Sequence, residues 1–297
     1  MKSGIIVLKK EEGITSQGAV NRVKRLFGEK KAGHTGTLDP LATGVLPILI
    51  GRAVKASEYM LSSDKYYRAT LKLGLTTDTE DITGKVLTEC GDVPEENEVL
   101  AVIKSFEGEI MQIPPMYSAL KVGGQKLCDI ARRGEEIERE ARKITVHSIK
   151  AKKITSDTYS LDVHCSKGTY IRTLCADIGA ALGCGGVMAA LKRTKASVFT
   201  LDDAHTLSEI EALPESERDK LIIPTERVFE NLDKIYLEPF FARLCRCGVE
   251  IYLKKIGKTL PLGTRVTIHD EQGFFALGEV REFESGLAIK PVKQFDV

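Results

Sequence analysis

The sequence predicts an α+β protein in two parts: a large domain of strands and helices to about residue 230, and a small all-β unit over residues 236–297. Three observations carry that prediction. Segments of period two and of period 3.6 are interspersed through the first 230 residues, the texture changes near Tyr236 to short apolar runs between glycine turns, and 297 residues suffice for two cores. Hydrophobic residues at 42% and charged residues at 29% exclude the disordered and collagen-like classes.

Taken in order, residues 5–8 read as a short strand, and Thr15 or Ser16 caps a helix with Val20, Val23, Leu26 and Phe27 on one face. Residues 45–50 form a buried strand. Tyr67, Ala69, Leu71 and Leu73 alternate against Arg68, Thr70 and Lys72, which puts Tyr67 on the inward face at the start of a half-buried strand. Val99, Leu100, Ile103 and Phe106 predict a helix over 96–106. Residues 110–142, rich in Pro, Gly and Arg, read as an insertion of loop and short helix. Strands return at 143–154 and 159–165. Ile171, Leu174, Cys175, Ile178 and Leu182 follow helical spacing, so Arg172 stands beside a buried stripe in the first turn, where a guanidinium needs an anionic partner. Thr206 and Glu209 form a capping box, and the polar stretch 214–220 precedes a further short helical region. Residues 265–268, 274–280 and 287–292 supply the strands of the small unit.

The most informative segment is GHTGTLDPLATG, residues 33–44. It sets His34 and Asp39 in a turn punctuated by Gly33, Gly36 and Gly44, with Pro40 fixing the backbone after Asp39, and it holds almost no ordinary core or surface filler. Such a segment reads as an active-site loop rather than a helix cap. The GxxxxGK[ST] spacing of a phosphate-cradling loop is absent.

Net charge is +1, with basic runs at 22–31 and 192–195 and an acidic one at 135–140, a balance that permits a nucleic-acid partner without demanding one. No apolar run approaches the roughly 20 residues that span a bilayer, and no signal-peptide core opens the chain, so a cytoplasmic protein without membrane contact is expected. Seven cysteines, mostly in apolar sequence, predict reduced buried thiols. Cys245 and Cys247 lack zinc-knuckle spacing, and no second pair or histidine lies at ligand spacing in the sequence, so no metal is expected.

The loop, together with Asp64 to Arg68 (DKYYR), Gln112 to Lys121 (QIPPMYSALK), Gly168 to Arg172 (GTYIR) and residues 191–194, resembles the TruB family of tRNA pseudouridine synthases. The blocks stand in the family's order and span most of residues 1–230. The resemblance implies a mixed-sheet pseudouridine synthase fold for residues 1–230, with an RNA-contacting insertion at about 110–142. The pieces Leu260-Pro261-Leu262-Gly263 and Gly278-Glu279-Val280 resemble a PUA domain, an RNA-binding β-barrel, over 236–297. The implied reaction converts the T-loop uridine of tRNA, position 55, to pseudouridine, in a monomer without cofactor, metal or guide RNA. Guide-RNA-dependent relatives share the aspartate motif, but the insertion after residue 110 resembles the stand-alone bacterial type.

Residue by residue, Asp39 resembles the family's essential carboxylate, and two routes are open to it, attack on the sugar carbon or deprotonation of the sugar. Arg172 is expected to pair with it in a bidentate fork, Tyr67 to stack on the detached uracil, Tyr170 to pack against the same pocket and Leu191 to floor it. The uridine must flip out of its stack to reach a buried carboxylate, and His34 resembles the residue that braces the opened loop. Lys10 resembles a family lysine near the pocket, although Glu11 replaces the usual proline after it. Lys121, Lys126, Arg132 and Arg133 are expected to meet phosphates from the insertion, while Cys128 stands where an aromatic is common. An alternative class is a protein that binds and refolds tRNA, with catalysis secondary.

Overall fold

The computed structural model describes residues 2–295. Its centre is a nine-stranded mixed sheet. Seven strands follow the order Gly4–Lys10, Thr43–Ile50, Gly186–Ala196, Lys65–Leu73, Thr158–Cys165, Arg142–Lys153 and Gly108–Gln112, with Ala32–His34 and Phe199–Thr200 paired at the side. Pairing is antiparallel except between Gly186–Ala196 and Thr43–Ile50, where Lys192 and Arg193 run parallel to Thr43 and Gly44.

The strands at one end of this sheet are buried on both faces, which is why residues 4–10 and 43–50 are nearly continuous apolar runs. Ile6, Leu8, Leu46, Ile48 and Ile50 face the larger core, built with the helices Ser16–Leu26, Glu96–Ser105 and Ile171–Ala181. Ile5, Val7, Val45 and Leu49 face a second core with Phe199, Phe229, Leu277 and Phe295. Further along the sheet, Lys65–Leu73 keeps the predicted alternation: Ala69, Leu71 and Leu73 are buried, while Thr70 and Lys72 are not.

The C-terminal unit is a five-stranded sheet in the order Asp233–Tyr236, Arg265–Asp270, Gly273–Phe283, Gly286–Gln294, Ile251–Tyr252. It is not all-β as expected. The helix Pro239–Arg246 packs Ala242 and Cys245 into its core. Two other local readings change. The polar stretch after Pro214 is itself helical over Glu215–Asp219, and the insertion contains a hairpin, Lys121–Val122 with Gln125–Lys126, turning through Gly123 and Gly124 at φ 57° and 85°. All seven cysteines are free; Cys165, Cys175, Cys184 and Cys245 are buried as expected, but Cys90 and Cys128 are half-buried and Cys247 is exposed.

Candidate active site

Asp39 sits in the connection between two antiparallel strands, since Ala32, Gly33 and His34 pair with Ile50, Leu49 and Ile48. The backbone of that connection is held from below. Ser16 Oγ donates to the Leu38 carbonyl and accepts from the Leu38 N–H, both at 2.8 Å. The Gly13 N–H donates to the Pro40 carbonyl at 2.9 Å. The Lys10 ammonium donates to the carbonyls of Ala42 at 2.6 Å and Pro40 at 3.2 Å. Gly44, at φ 98°, admits the neighbouring strand: a Cβ there would lie 2.2 Å from the Arg193 carbonyl oxygen. Gly36 also has positive φ, whereas Gly33 does not and lies in ordinary extended strand.

A cavity of about 250 Å³ opens over this loop, and among its walls are Asp39, Tyr67, Tyr170, Arg172 and Leu191. Its other charged walls are Lys65, Lys167 and Arg193. The helix carrying Arg172 begins where Gln112 clamps the backbone of Tyr170, accepting from its N–H at 2.8 Å and donating to its carbonyl at 3.1 Å. Arg172 is 6% exposed and its Nε lies 2.9 Å from Asp39 Oδ2. Its two terminal nitrogens donate elsewhere, to the carbonyls of Thr79 at 3.1 Å and Tyr117 at 2.7 Å. The expected fork on Asp39 is therefore a single contact, because two half-buried carbonyls claim the rest of the guanidinium.

Burial pushes the Asp39 carboxyl above its ordinary value of 3.8; the Arg172 charge opposes this, while the buried carboxylate of Asp81 adds to it. Asp39 remains 36% exposed at its side chain, open to a ligand. Burial likewise pushes the Tyr67 phenol up, against the charge and hydrogen bond of Arg193. That arginine is 1% exposed and fixed by the carbonyls of Val45 at 2.7 Å and Gly36 at 3.1 Å. Lys65 is held by the carbonyls of Met60, Leu61 and Ser63, and burial pulls its ammonium down to about 8.

Four expected substrate contacts lie outside the cavity walls. Lys10 is 1% exposed, points into the loop backbone and is pulled down by burial to about 8. His34 is half-buried, its Nδ1 accepts from the Gly36 N–H at 3.4 Å, and burial followed by the Arg193 charge lowers its pKa. Lys121 and Arg132 are exposed on the insertion, where Arg132 pairs with Asp129 at 3.3 Å. Sequence reasoning missed Lys65, Asp81, Gln112 and Arg193. Arg193 had a signal, since it stands two residues after Leu191 on one strand and so shares its face.

The family model for the TruB family pseudouridylate synthase N-terminal domain matches residues 24–171, and that for the tRNA pseudouridylate synthase B C-terminal domain matches residues 172–230. The chain belongs to the TruB family. Among curated TruB relatives, the tRNA pseudouridine synthase B of Alkaliphilus oremlandii is 43% identical over 94% of this chain and 93% of its own length. That of Clostridium tetani is 43% identical over 93% of this chain and 95% of its own. Among solved structures, a Cbf5–Nop10–Gar1 complex superposes with a TM-score of 0.74 at 29% identity, covering 98% of this chain and 84% of the other. An H/ACA RNP bound to a substrate RNA containing 2'-deoxyuridine gives a TM-score of 0.74 at 26% identity, covering 99% and 85%. These likenesses span both sheets, and the C-terminal one fits a PUA-like fold.

Proposed function

We propose that this chain is a tRNA pseudouridine synthase, as its curated relatives are named, and that this isomerase converts the T-loop uridine at position 55. The observation that carries the reading is the contact between Arg172 and Asp39 at the floor of a cavity that Tyr67 also lines. A flipped uridine enters that cavity, which is small beside the ~300–1,000 Å³ of ordinary ligand clefts and suits one base. Asp39, more basic than an ordinary carboxylate yet kept ionised at neutral pH by Arg172, acts as nucleophile or base while the glycosidic bond breaks. Tyr67 stacks on the detached uracil. The Tyr67 hydroxyl, beside Arg193, relays the C5 proton toward solvent once C5 has bonded to the sugar.

Lys121 and Arg132 meet T-arm phosphates from the insertion, and the exposed Lys254, Lys255 and Lys258 of the 236–297 unit extend the contact. Residues 1–230 form the catalytic domain. The enzyme acts as a cytoplasmic monomer without guide RNA; no helix among the described residues is long and apolar enough to cross a membrane. Its chemistry uses neither cofactor nor metal, for the cavity offers one carboxylate among several cations. The alternative of a protein that only refolds tRNA is not favoured, because Asp39, Tyr67 and Arg172 are all present and gathered.

Tritium release from unmodified tRNA labelled at uracil C5 tests the reading. Release at one site per tRNA, undiminished by EDTA at saturating RNA, is expected. No release from a well-folded T arm defeats the proposal, and loss of turnover restored by zinc, in a chain whose Tm the chelator leaves unchanged, defeats its metal-free chemistry.

A further inference from the structure

At a second hollow, lined by Asp64, Tyr66, His164 and Lys195 among others, three strands gather side chains that the proposed reaction does not use. Asp64 immediately precedes Lys65–Leu73, His164 lies on Thr158–Cys165, and His147 lies on Arg142–Lys153. No spacing in the sequence joins them; the pairing of the strands brings them together. The register between Arg142–Lys153 and Thr158–Cys165 slips between Val146 and Ser148, a β-bulge that leaves His147 outside the ladder and its ring centroid 4.5 Å from that of His164.

We infer that Asp64 Oδ2, His147 Nε2 and His164 Nε2 form a binding site for one zinc-class divalent transition-metal ion. His147 Nε2 lies 3.1 Å and His164 Nε2 3.4 Å from Asp64 Oδ2. With zinc bonds of about 2.0–2.2 Å, the edge of a coordination tetrahedron is about 3.3–3.5 Å, so two edges of the ligand triangle already have close to the required length. All three ligand atoms fall within 4.8 Å of one another, and binding needs only a small closure between the imidazoles. Two neutral imidazoles and one carboxylate suit a borderline transition metal and not a hard cation such as calcium. The plane of His164 is set in advance by Tyr66, stacked on it at 4.0 Å and 7°. Side-chain exposures of 45%, 36% and 25% for Asp64, His147 and His164 leave an entry path and a fourth position for water.

The ion would be structural. Asp64 adjoins Lys65, and His164 is two residues from Ser166; both Lys65 and Ser166 line the active-site cavity. A metal here ties two walls of that cavity together without touching Asp39. Nothing in this inference depends on the reaction proposed above.

The test uses the full-length chain freed of metal by a chelator and titrated calorimetrically with zinc chloride at neutral pH, with cobalt(II) as the optical probe. The expected result is one ion per chain, a Co(II) spectrum without thiolate charge transfer, and a higher Tm with zinc. Each of His147→Gln, His164→Gln and Asp64→Asn should weaken binding by roughly tenfold or more, the loss typical of a disturbed metal site. Cys247→Ser should bind as the natural chain does. The three variants change exposed or half-exposed groups, and far-UV circular dichroism with the metal-free Tm checks their folding. Absence of saturable binding, binding unchanged in a folded His147→Gln/His164→Gln double variant, or binding lost in Cys247→Ser would each overturn the site. In the first of those cases the cluster is an ion pair and nothing more.

Discussion

At the scale of residues, the site turns on how Arg172 spends its five N–H groups. One reaches Asp39 and others satisfy the Thr79 and Tyr117 carbonyls, so the side chain is a fixed strut between the 77–83 turn, the insertion and the catalytic loop. A lysine ammonium cannot span those directions and leaves half-buried carbonyls without their partner. Arg172→Lys is therefore expected to lower the single-turnover rate by roughly 100-fold, the usual scale for a misplaced reacting group. A near-normal rate in that variant removes the strut from the mechanism. The Asp39 carboxyl must be ionised and its pKa is raised from 3.8 in the folded chain, so the acid limb of kcat/KM should fall above that value. Arg172→Gln, which deletes the chief opposing charge, should move the limb to higher pH still; a limb that moves down contradicts the pairing. Asp39→Asn should abolish tritium release while tRNA affinity stays near that of the natural chain, since loss of one negative charge does not weaken attraction to a polyanion. Comparable rates from both proteins would exclude Asp39. Asp39 was legible because its loop is locally unusual, and Arg172 because a guanidinium beside a buried stripe needs an anion; the roles of Tyr67, Tyr170 and Leu191 were reached through the family resemblance. Arg193 was not legible, for in a basic run it resembles solvated surface, and only its register with Tyr67 and Gly44 buries it. Asp81 was hidden likewise in a polar turn that reads as exposed.

At the scale of elements, most strands and helices followed from period and caps, and the exceptions share a cause. The helix Pro239–Arg246 carries proline in its first turn and glycine two residues beyond its end, but eight residues amid strand-like runs give too few turns for an apolar face to show. The hairpin at 121–126 has two-residue strands, shorter than any alternation can reveal. Lys10 shows the converse: its strand was evident, yet its use under the catalytic loop was not, because that depends on a connection 30 residues later. Burial pulls its ammonium from 10.5 to about 8. Between those values the unfolded chain holds a proton that the folded one has released, so this group adds stability as pH rises from 8 to 10.5 and loses it as pH falls through 8. For a side chain 1% exposed, the shift corresponds to about 3 kcal/mol. Urea unfolding of the natural chain and Lys10→Met across this range should show their stability difference drifting by that order toward the natural chain. The buried thiols, which titrate in the opposite sense, are common to both and cancel. A difference independent of pH would mean that Lys10 keeps its ordinary pKa.

At the scale of the whole molecule, the sequence suggested two separable units, with a change of texture near Tyr236. Their separateness is not what the packing provides. Leu277 and Phe295 of the C-terminal unit lie in one core with Ile5, Val7, Val45 and Leu49 of the catalytic sheet. Lys293 pairs with Glu58 at 2.6 Å, and Lys55 donates to the Gln294 carbonyl at 2.9 Å beside that core. One-dimensional texture cannot show this sharing, because an apolar residue reads the same whether its partner is in its own unit or the next. The chemistry lies on the opposite face of those strands, next to the helices, so the two faces should answer differently to mutation. Leu277→Ala, which empties a fully buried site at the junction, should cost about 2–5 kcal/mol and lower the Tm of both units in one transition. The same variant, kept below its melting temperature with saturating tRNA, should retain its turnover. Removing residues 236–297 should act in the same direction but further: it strips the C-terminal cover from Ile5 and Val7, lowers Tm, and weakens tRNA binding while a folded truncation still releases tritium. Two separate transitions in Leu277→Ala, with the catalytic unit unmoved, would show that the shared core does not couple them. A truncation that stays folded and binds tRNA yet is wholly inactive would place part of the active site's support in the C-terminal sheet, through the strands that carry the Asp39 loop.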